Sequence, residues 1–310
     1  MRGMRLLNAS GCLDALATPE LAATLDAFVT KTVTPVPRAG NDPIRITDVD
    51  SGMLNSIGLQ NLGIEVFVTE SLPRLAALNI PIWVSVGGFS ADDYARLCAR
   101  LDAEPDVATI ELNVSCPNVH APAESAWEIV AAARGQTTKP LYAKLSPNVP
   151  DIAAVATAAV GAGADGLTLV NTVRGMALDP RSLTPTLATG SGGLSGPALR
   201  PIALSAVFAC ASTTDVPIVA VGGISQSAHV LEFVAAGASD VALGTVLFAE
   251  PYAAERLRAE VGAELEQRGF ASFDNVRGLA HRIPSGIQAD EVAVDGGEMD
   301  HRAVGSAISS

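Results

Sequence analysis

The chain has 310 residues, 48% of them hydrophobic and only 4% aromatic, which leaves room for one large domain or two ordinary ones and excludes a chain too polar to build a core. Twenty Lys plus Arg against 33 Asp plus Glu give a net charge of −13, an acidic balance that argues against a nucleic-acid surface or an anionic membrane as partner. No run of about 18 uncharged apolar residues and no signal-peptide pattern occurs, and Cys12, Cys98, Cys116 and Cys210 show neither CxxC nor metal-ligand spacing, so the expectation is a cytoplasmic protein with free thiols and no metal or iron–sulfur site of its own.

Taken in chain order, a first apolar run predicts a strand at Arg5–Ala9 and a second predicts one at Phe28–Thr32. Residues Val33–Leu62, rich in Pro, Gly and Asn, are long for a loop between strand and helix, and are expected to cover one end of the fold. Strands follow at Pro81–Val86, Thr109–Val114, Leu141–Leu145, Gly166–Asn171, Pro217–Val221 and Asp240–Gly244. Between and after them, 3.6-residue periodicity predicts helices over Ala91–Asp102, Ala123–Arg134, Asp151–Ala162, Pro197–Ala211, Ser227–Ala236 and Pro251–Arg268. Asp92, Asp93, Asp151 and Ser225 sit at or near their starts, where exposed amides want an acceptor. Arg174–Pro197 is the second long break and ends in the Gly-rich segment 190–196. Eight strands with intervening helices are the count of an α/β TIM (β/α)8 barrel, here a single domain over residues 1–289 with long loops over its C-terminal mouth. Residues 290–310 are acidic, rich in small residues and aperiodic, and are expected to form a disordered tail.

Chemistry in such a barrel belongs at the C-terminal ends of the strands. Gly222 and Gly223 follow the seventh strand, and Gly244 and Thr245 the eighth. Glycines there let backbone amides approach a phosphate, the alternative being tight turns only. Lys31 ends the second strand and Lys144 the fifth, both among apolar neighbours. A buried lysine needs an anion, either a structural carboxylate or a bound polyanionic or reducible cofactor. Asn55, Asn113, Asn118 and Asn171 recur at strand ends. Singly each is a common turn residue, whereas together they offer the donors and acceptors that a planar heterocycle matches. Cys116 closes the run Ile110–Val114 in a Ser-Cys-Pro-Asn turn. It is open to three readings: a nucleophile, a general base, or an inert buried thiol.

Several stretches, in order from about residue 6 to 255, resemble class 1 dihydroorotate dehydrogenases. These are Asn8–Cys12, Lys31-Thr32 with Pro37–Asn41, Gly52–Asn61, Glu111–Val119, Lys144–Val149, Val170–Thr172, Gly192–Pro197, Val221–Ile224 and Gly244-Thr245. The forms GMLNSIGLQN and KLSPNV are most similar to the NAD-linked subclass, whose FMN-containing catalytic subunit works with an iron–sulfur, FAD-containing partner. The resemblance implies an FMN enzyme that oxidises (S)-dihydroorotate to orotate in pyrimidine (UMP) biosynthesis. It implies FMN contacts from Ala9, Ser10, Gly11, Lys31, Thr32, Asn113, Lys144 and Val170, and a phosphate site at Gly196, Gly222, Gly223, Gly244 and Thr245. Substrate contacts are implied for Lys31, Asn55, Gly58, Leu59, Asn113, Asn118, Asn171 and Thr172. Cys116 is implied as the base at C5 while the C6 hydrogen leaves as hydride to flavin N5, and a homodimeric core is the implied assembly.

Three departures accompany the resemblance. The chain starts about where relatives carry a β-hairpin, so the expectation is either a thinly covered barrel floor or a misassigned start. The loop after Val119 runs directly into a helix without the Gly-rich segment usual in the partner-dependent subclass, and Ser85 stands where the family carries an Asn near the flavin. The rival readings are a dihydropyrimidine dehydrogenase-like flavin domain acting on uracil or thymine, and a non-catalytic flavin-binding paralogue.

Overall fold

Each of the eight predicted apolar runs forms a parallel strand, and together they wrap into a barrel. A computed structural model of the chain describes residues 3–114 and 122–282. The strands are β1 (Leu6–Asn8), β2 (Phe28–Val29), β3 (Ile46–Val49), β4 (Gly52–Asn55), β5 (Ile82–Val86), β6 (Val107–Asn113), β7 (Leu141–Leu145), β8 (Gly166–Leu169), β9 (Val173–Gly175), β10 (Gly192–Ser195), β11 (Ile218–Val221) and β12 (Asp240–Leu243). The barrel order is β1-β12-β11-β8-β7-β6-β5-β2, and a parallel bridge between Leu7 and Ala27 brings the last strand back to the first.

That closing seam is short because β2 has two residues. Phe28 and Thr30 donate to Pro81 and Trp83 on the β5 side, which turns the peptide groups of Val29 toward β1. The fully buried Asn8 side chain meets them: its Nδ2 donates to the Val29 carbonyl at 2.8 Å, and its Oδ1 accepts from the Val29 amide at 2.8 Å. A side chain thus completes the hydrogen bonding that a longer strand would supply.

Alternation along the strands divides the core into two. Leu7, Val29, Trp83, Tyr142, Val219, Val221 and Ala242 form one cluster inside the barrel. Their strand neighbours, such as Leu6, Phe28, Val84, Leu112, Ala143 and Val241, pack outward in the larger cluster shared with the helices. The helices follow the predicted spans closely, Ala91–Asp102 without change and Pro122–Arg134, Ile152–Gly161, Arg200–Ala211, Ser227–Ala235 and Ala253–Gln267 within a few residues. Asp151 caps its helix by accepting from Ala154 N–H at 3.0 Å. Ser90, not Asp92 or Asp93, caps Ala91–Asp102 by accepting from Asp93 N–H, the two aspartates lying in the first turn. Ser225 makes no cap; its amide donates to His229 Nδ1 at 3.3 Å.

The floor of the barrel is occupied by a small set of polar and aromatic side chains. Arg5 donates through Nε and Nη2 to Asp240 and lies 5.2 Å over the Trp83 ring, and Trp83 packs on Tyr142 with centroids 4.6 Å apart. Beyond them Arg277, after the short helix Phe273–Val276, donates to the Gly3 and Ala238 carbonyls. At the opposite end the two long breaks are not plain loops. They pair as a four-stranded antiparallel sheet, β3-β4-β10-β9, with Asn55 beside Gly193 and Gly193 beside Arg174. This sheet roofs the C-terminal mouth.

Candidate active site

A cavity of about 540 Å³ lies between the barrel mouth and this roof, within the range of small-molecule and cofactor sites. From the barrel side it is lined by Ala9, Ser10 and Gly11 after β1, Lys31 and Thr32 after β2, Asn113 at the end of β6, Lys144 on β7, Val170, Asn171 and Thr172 after β8, and Gly222, Gly223, Gly244 and Thr245 after β11 and β12. The roof contributes Asn55, Gly58, Leu59 and Gly196. Every sequence-predicted site residue within the described chain therefore borders one space. Cys116 and Asn118 lie outside the described residues.

The polar groups of the wall are held by neighbours. Asn171 donates from Nδ2 to Asn113 Oδ1 at 3.0 Å and accepts the Thr172 amide at 2.8 Å, which orients the two carboxamides against each other. Ser10, Thr32 and Ser85 form a hydroxyl chain, with 3.3 Å between the first two and 3.1 Å between the last two. Ser85 is fully buried behind Thr32 and is not among the residues lining the cavity; it braces the wall from behind. Thr245 Oγ1 donates to Ser195 Oγ at 2.8 Å, tying the end of β12 to roof strand β10.

At the β11 and β12 ends, the amides of Gly223, Gly244 and Thr245 have no protein acceptor among the described residues. A Cβ on Gly223, whose φ is +67°, would come within 2.7 Å of Arg200 Cβ and 2.8 Å of the Gly196 carbonyl, so a side chain would both strain the turn and crowd the cradle. Backbone donors free of protein partners beside a glycine turn are what a phosphate requires.

The charge of the cavity opposes that of the chain. The sequence holds only three lysines, and two of them, Lys31 and Lys144, face this space. Lys31 reaches the cavity past Gly11, where a Cβ would lie 3.0 Å from its stem. Desolvation by the surrounding protein lowers its pKa, with Cys12 pulling it up and Lys144 pushing it further down. Lys144 is buried, and its side chain has no hydrogen bond or ion pair among the described residues. Burial pushes the Cys12 thiol up, against the pull of Lys144 and Lys31, so this thiol stays protonated near neutral pH. Cys98 and Cys210 are core thiols pushed up to about 12 by burial.

Sequence reasoning did not single out Cys12, Ser146, Asn148, Arg174 or Ser195 as site residues, yet all five line the cavity. Asn148 ties β7 to β9 by donating to the Thr172 carbonyl at 2.9 Å and accepting the Arg174 amide at 2.8 Å. Its place in the Lys144–Val149 motif was the available signal.

Comparison with known proteins accounts for the arrangement. The dihydroorotate dehydrogenase family model matches residues 5–265. The chain belongs to the dihydroorotate dehydrogenase family. Relatives include proteins named dihydroorotate dehydrogenase B (NAD(+)), catalytic subunit: that of Desulforudis audaxviator is 45% identical over 268 residues, covering 84% of this chain and 87% of the relative. That of Listeria monocytogenes is 41% identical over 260 residues, covering 82% and 86%. A crystal structure of DHODH from Eimeria tenella in complex with ferulenol superposes with a TM-score of 0.74 at 24% identity, over 90% of this chain and 85% of that one, and shares the fold.

The reaction of dihydroorotate dehydrogenases is the oxidation of dihydroorotate to orotate in pyrimidine biosynthesis, and the cofactor of this type is FMN. The cavity fits that cofactor on its own geometry: partnerless amides at one end for a phosphate, two lysines for an electron-accepting anion, and a paired Asn113–Asn171 edge between. Among the described residues no helix is long and apolar enough to cross a membrane.

Proposed function

We propose that this chain is the FMN-bearing catalytic subunit of an NAD-linked dihydroorotate dehydrogenase, with Cys116 as the base that takes the C5 proton of dihydroorotate. The observation that carries the reading is the convergence, on one cavity, of every described residue that the family resemblance assigns to flavin or pyrimidine. Bound FMN supplies the two-electron acceptor for the hydride leaving C6. The chain supplies position, charge and the proton acceptor.

In this reading Gly196, Gly222, Gly223, Gly244 and Thr245 hold the phosphate, and Ala9, Ser10, Gly11, Thr32 and Val170 border the isoalloxazine. Lys31 and Lys144 offset the negative charge that builds on the reduced ring. Asn55, Gly58, Leu59, Asn113, Asn118, Asn171 and Thr172 surround the pyrimidine, with Lys31 also within reach of the substrate. A proton alpha to a carbonyl is acidic enough for a thiolate base, and that role demands access and some thiolate at neutral pH. The relatives named as catalytic subunits support a partner subunit for electron transfer; an iron–sulfur, FAD-containing partner, a homodimeric core and a cytoplasmic location are what the family resemblance implies.

A dihydropyrimidine dehydrogenase-like activity is the second reading, and the substrate carboxylate separates the two. Orotate carries that carboxylate and uracil does not, so the FMN-loaded chain should bind orotate at least ~100-fold more tightly than uracil, a buried ion pair being worth about 3 kcal/mol. Equal affinity would favour the uracil reading. Turnover of dihydroorotate with fumarate by the isolated chain would overturn the NAD-linked assignment.

A further inference from the structure

The barrel interior holds a carboxylate that the proposed chemistry does not use. Glu111 on β6 is 2% exposed, and its Oε1 is the buried side-chain polar atom left without any partner among the described residues. Its Oε2 accepts a single hydrogen bond, from Thr168 Oγ1 at 3.0 Å. A carboxylate in an apolar interior needs more than one neutral donor, or a counter-charge, because burying it uncompensated costs several kcal/mol.

The strand register identifies the counter-charge. On β7 the residues flanking this level are Tyr142, paired with Glu111, and Lys144, paired with Asn113. Thr168 on β8 is paired with Lys144. For Glu111 on β6 to reach Thr168 on β8, its side chain must cross the inner face of β7 between Tyr142 and Lys144, rising to the level of the lysine. Lys144 is itself 7% exposed, and its side chain has no hydrogen bond or ion pair among the described residues. Two buried side chains of opposite charge type, neither with a counter-charge among the described residues, thus leave adjacent strands on the same face. Of the other titratable groups of the interior, Arg5 and Asp240 pair with each other at the floor, while Lys31 and Cys12 share the cavity with Lys144 and interact with it electrostatically, but neither is a carboxylate.

We propose that Glu111 is a positioning residue for Lys144: its carboxylate is the buried counter-charge that draws this side chain to the cavity floor. The inference rests on the reading of the cavity as an FMN site only for its consequence, that the lysine placed by Glu111 is one that faces the flavin. The juxtaposition of Glu111 and Lys144 does not depend on it. Direct contact is absent, so the pair acts through the low-dielectric interior, where opposite charges interact over longer distances than in water.

The sparseness of lysine makes the test direct. With only Lys31, Lys139 and Lys144 present, the FMN-loaded protein labelled with 13C at lysine Cε gives three signals to follow against pH, assigned by single substitutions. Glu111→Gln keeps an acceptor for Thr168 and removes the charge. The expected result is that the Lys144 titration midpoint falls by about one unit or more in Glu111→Gln, while Lys139, which donates to the Val107 carbonyl at the floor, is unmoved. An unchanged Lys144 midpoint overturns the proposal, whether or not the cavity holds FMN as assigned. Should Glu111→Gln fold poorly, a thermal double-mutant cycle with Lys144→Met decides: a double variant that melts higher than additivity predicts supports the pairing, and strict additivity refutes it. Flavin content, read separately from the absorbance spectrum, reports on the FMN reading itself.

Discussion

Replacing Asn8 by Ala should unzip the barrel at its weakest seam. The substitution removes the acceptor of the Val29 amide and the donor to the Val29 carbonyl, both at 2.8 Å in the intact protein, and leaves those groups inside a fully buried region. Each buried backbone group left without a partner costs about 1–3 kcal/mol. Since the two orphaned groups can relax together, we expect a total of ~3 kcal/mol, which for a domain of this size lowers Tm by ~6–12 °C. The loss should extend to the cofactor, because Ala9, Ser10 and Gly11 directly follow Asn8 and Lys31 lies two residues beyond Val29. Differential scanning calorimetry with and without saturating FMN measures both effects. A variant that melts within ~2 °C of the parent would refute the idea that this side chain closes the barrel.

Three further outcomes follow from the site and the floor. Gly223→Ala, which places a methyl 2.7 Å from Arg200 Cβ in a turn of φ +67°, should weaken FMN binding by ~10-fold or more without unfolding the barrel, as read by quenching of flavin fluorescence. Lys31 has its pKa lowered by desolvation, and only its protonated form attracts an anion. Orotate affinity should therefore decline as pH rises through a value below the ordinary ~10.4 of lysine, by up to ~10-fold per pH unit, and Lys31→Met should lose that slope in calorimetric titrations. Asp240→Ala strips the half-exposed Arg5 of its carboxylate and the Arg5 amide of its 2.8 Å acceptor. We expect ~2–4 kcal/mol lost in urea denaturation with FMN affinity unchanged, since the pair lies at the end of the barrel away from the cavity.

The barrel was legible because its strands are buried on both faces and read as unbroken apolar runs, Ile82–Val86 and Leu141–Leu145 being buried at every position. The roof was not. Its strands are three or four residues long and read Ile-Thr-Asp-Val, Gly-Met-Leu-Asn, Val-Arg-Gly and Gly-Gly-Leu-Ser, with no periodicity for a pattern search to find. The two hairpin-like pairs β3–β4 and β9–β10 become one sheet through the pairing of β4 with β10, Asn55 with Gly193, a long-range contact that local propensity cannot express. The location of the roof was still readable from loop length alone. Within the site, the glycine pairs and the two lysines stood out as residue types with few structural uses in an apolar, acidic chain. Asn8 gave no such signal: an Asn at a strand end reads as a turn residue, and its seam role depends on β2 stopping at Val29 where the sequence predicted a strand to Thr32. Glu111 was hidden for the same reason, its partner Thr168 lying 57 residues away on a strand not adjacent to its own.

The central claim is that Cys116 removes the C5 proton, and the reductive half-reaction tests it most directly. Anaerobic stopped-flow mixing of FMN-loaded protein with dihydroorotate follows the loss of flavin absorbance in a single turnover, free of any electron acceptor. A serine hydroxyl is a far poorer base than a thiol near neutral pH. Cys116→Ser should slow flavin reduction by ~100-fold or more while orotate binding stays within a few-fold of the parent. Reduction at the parental rate in Cys116→Ser would contradict the account.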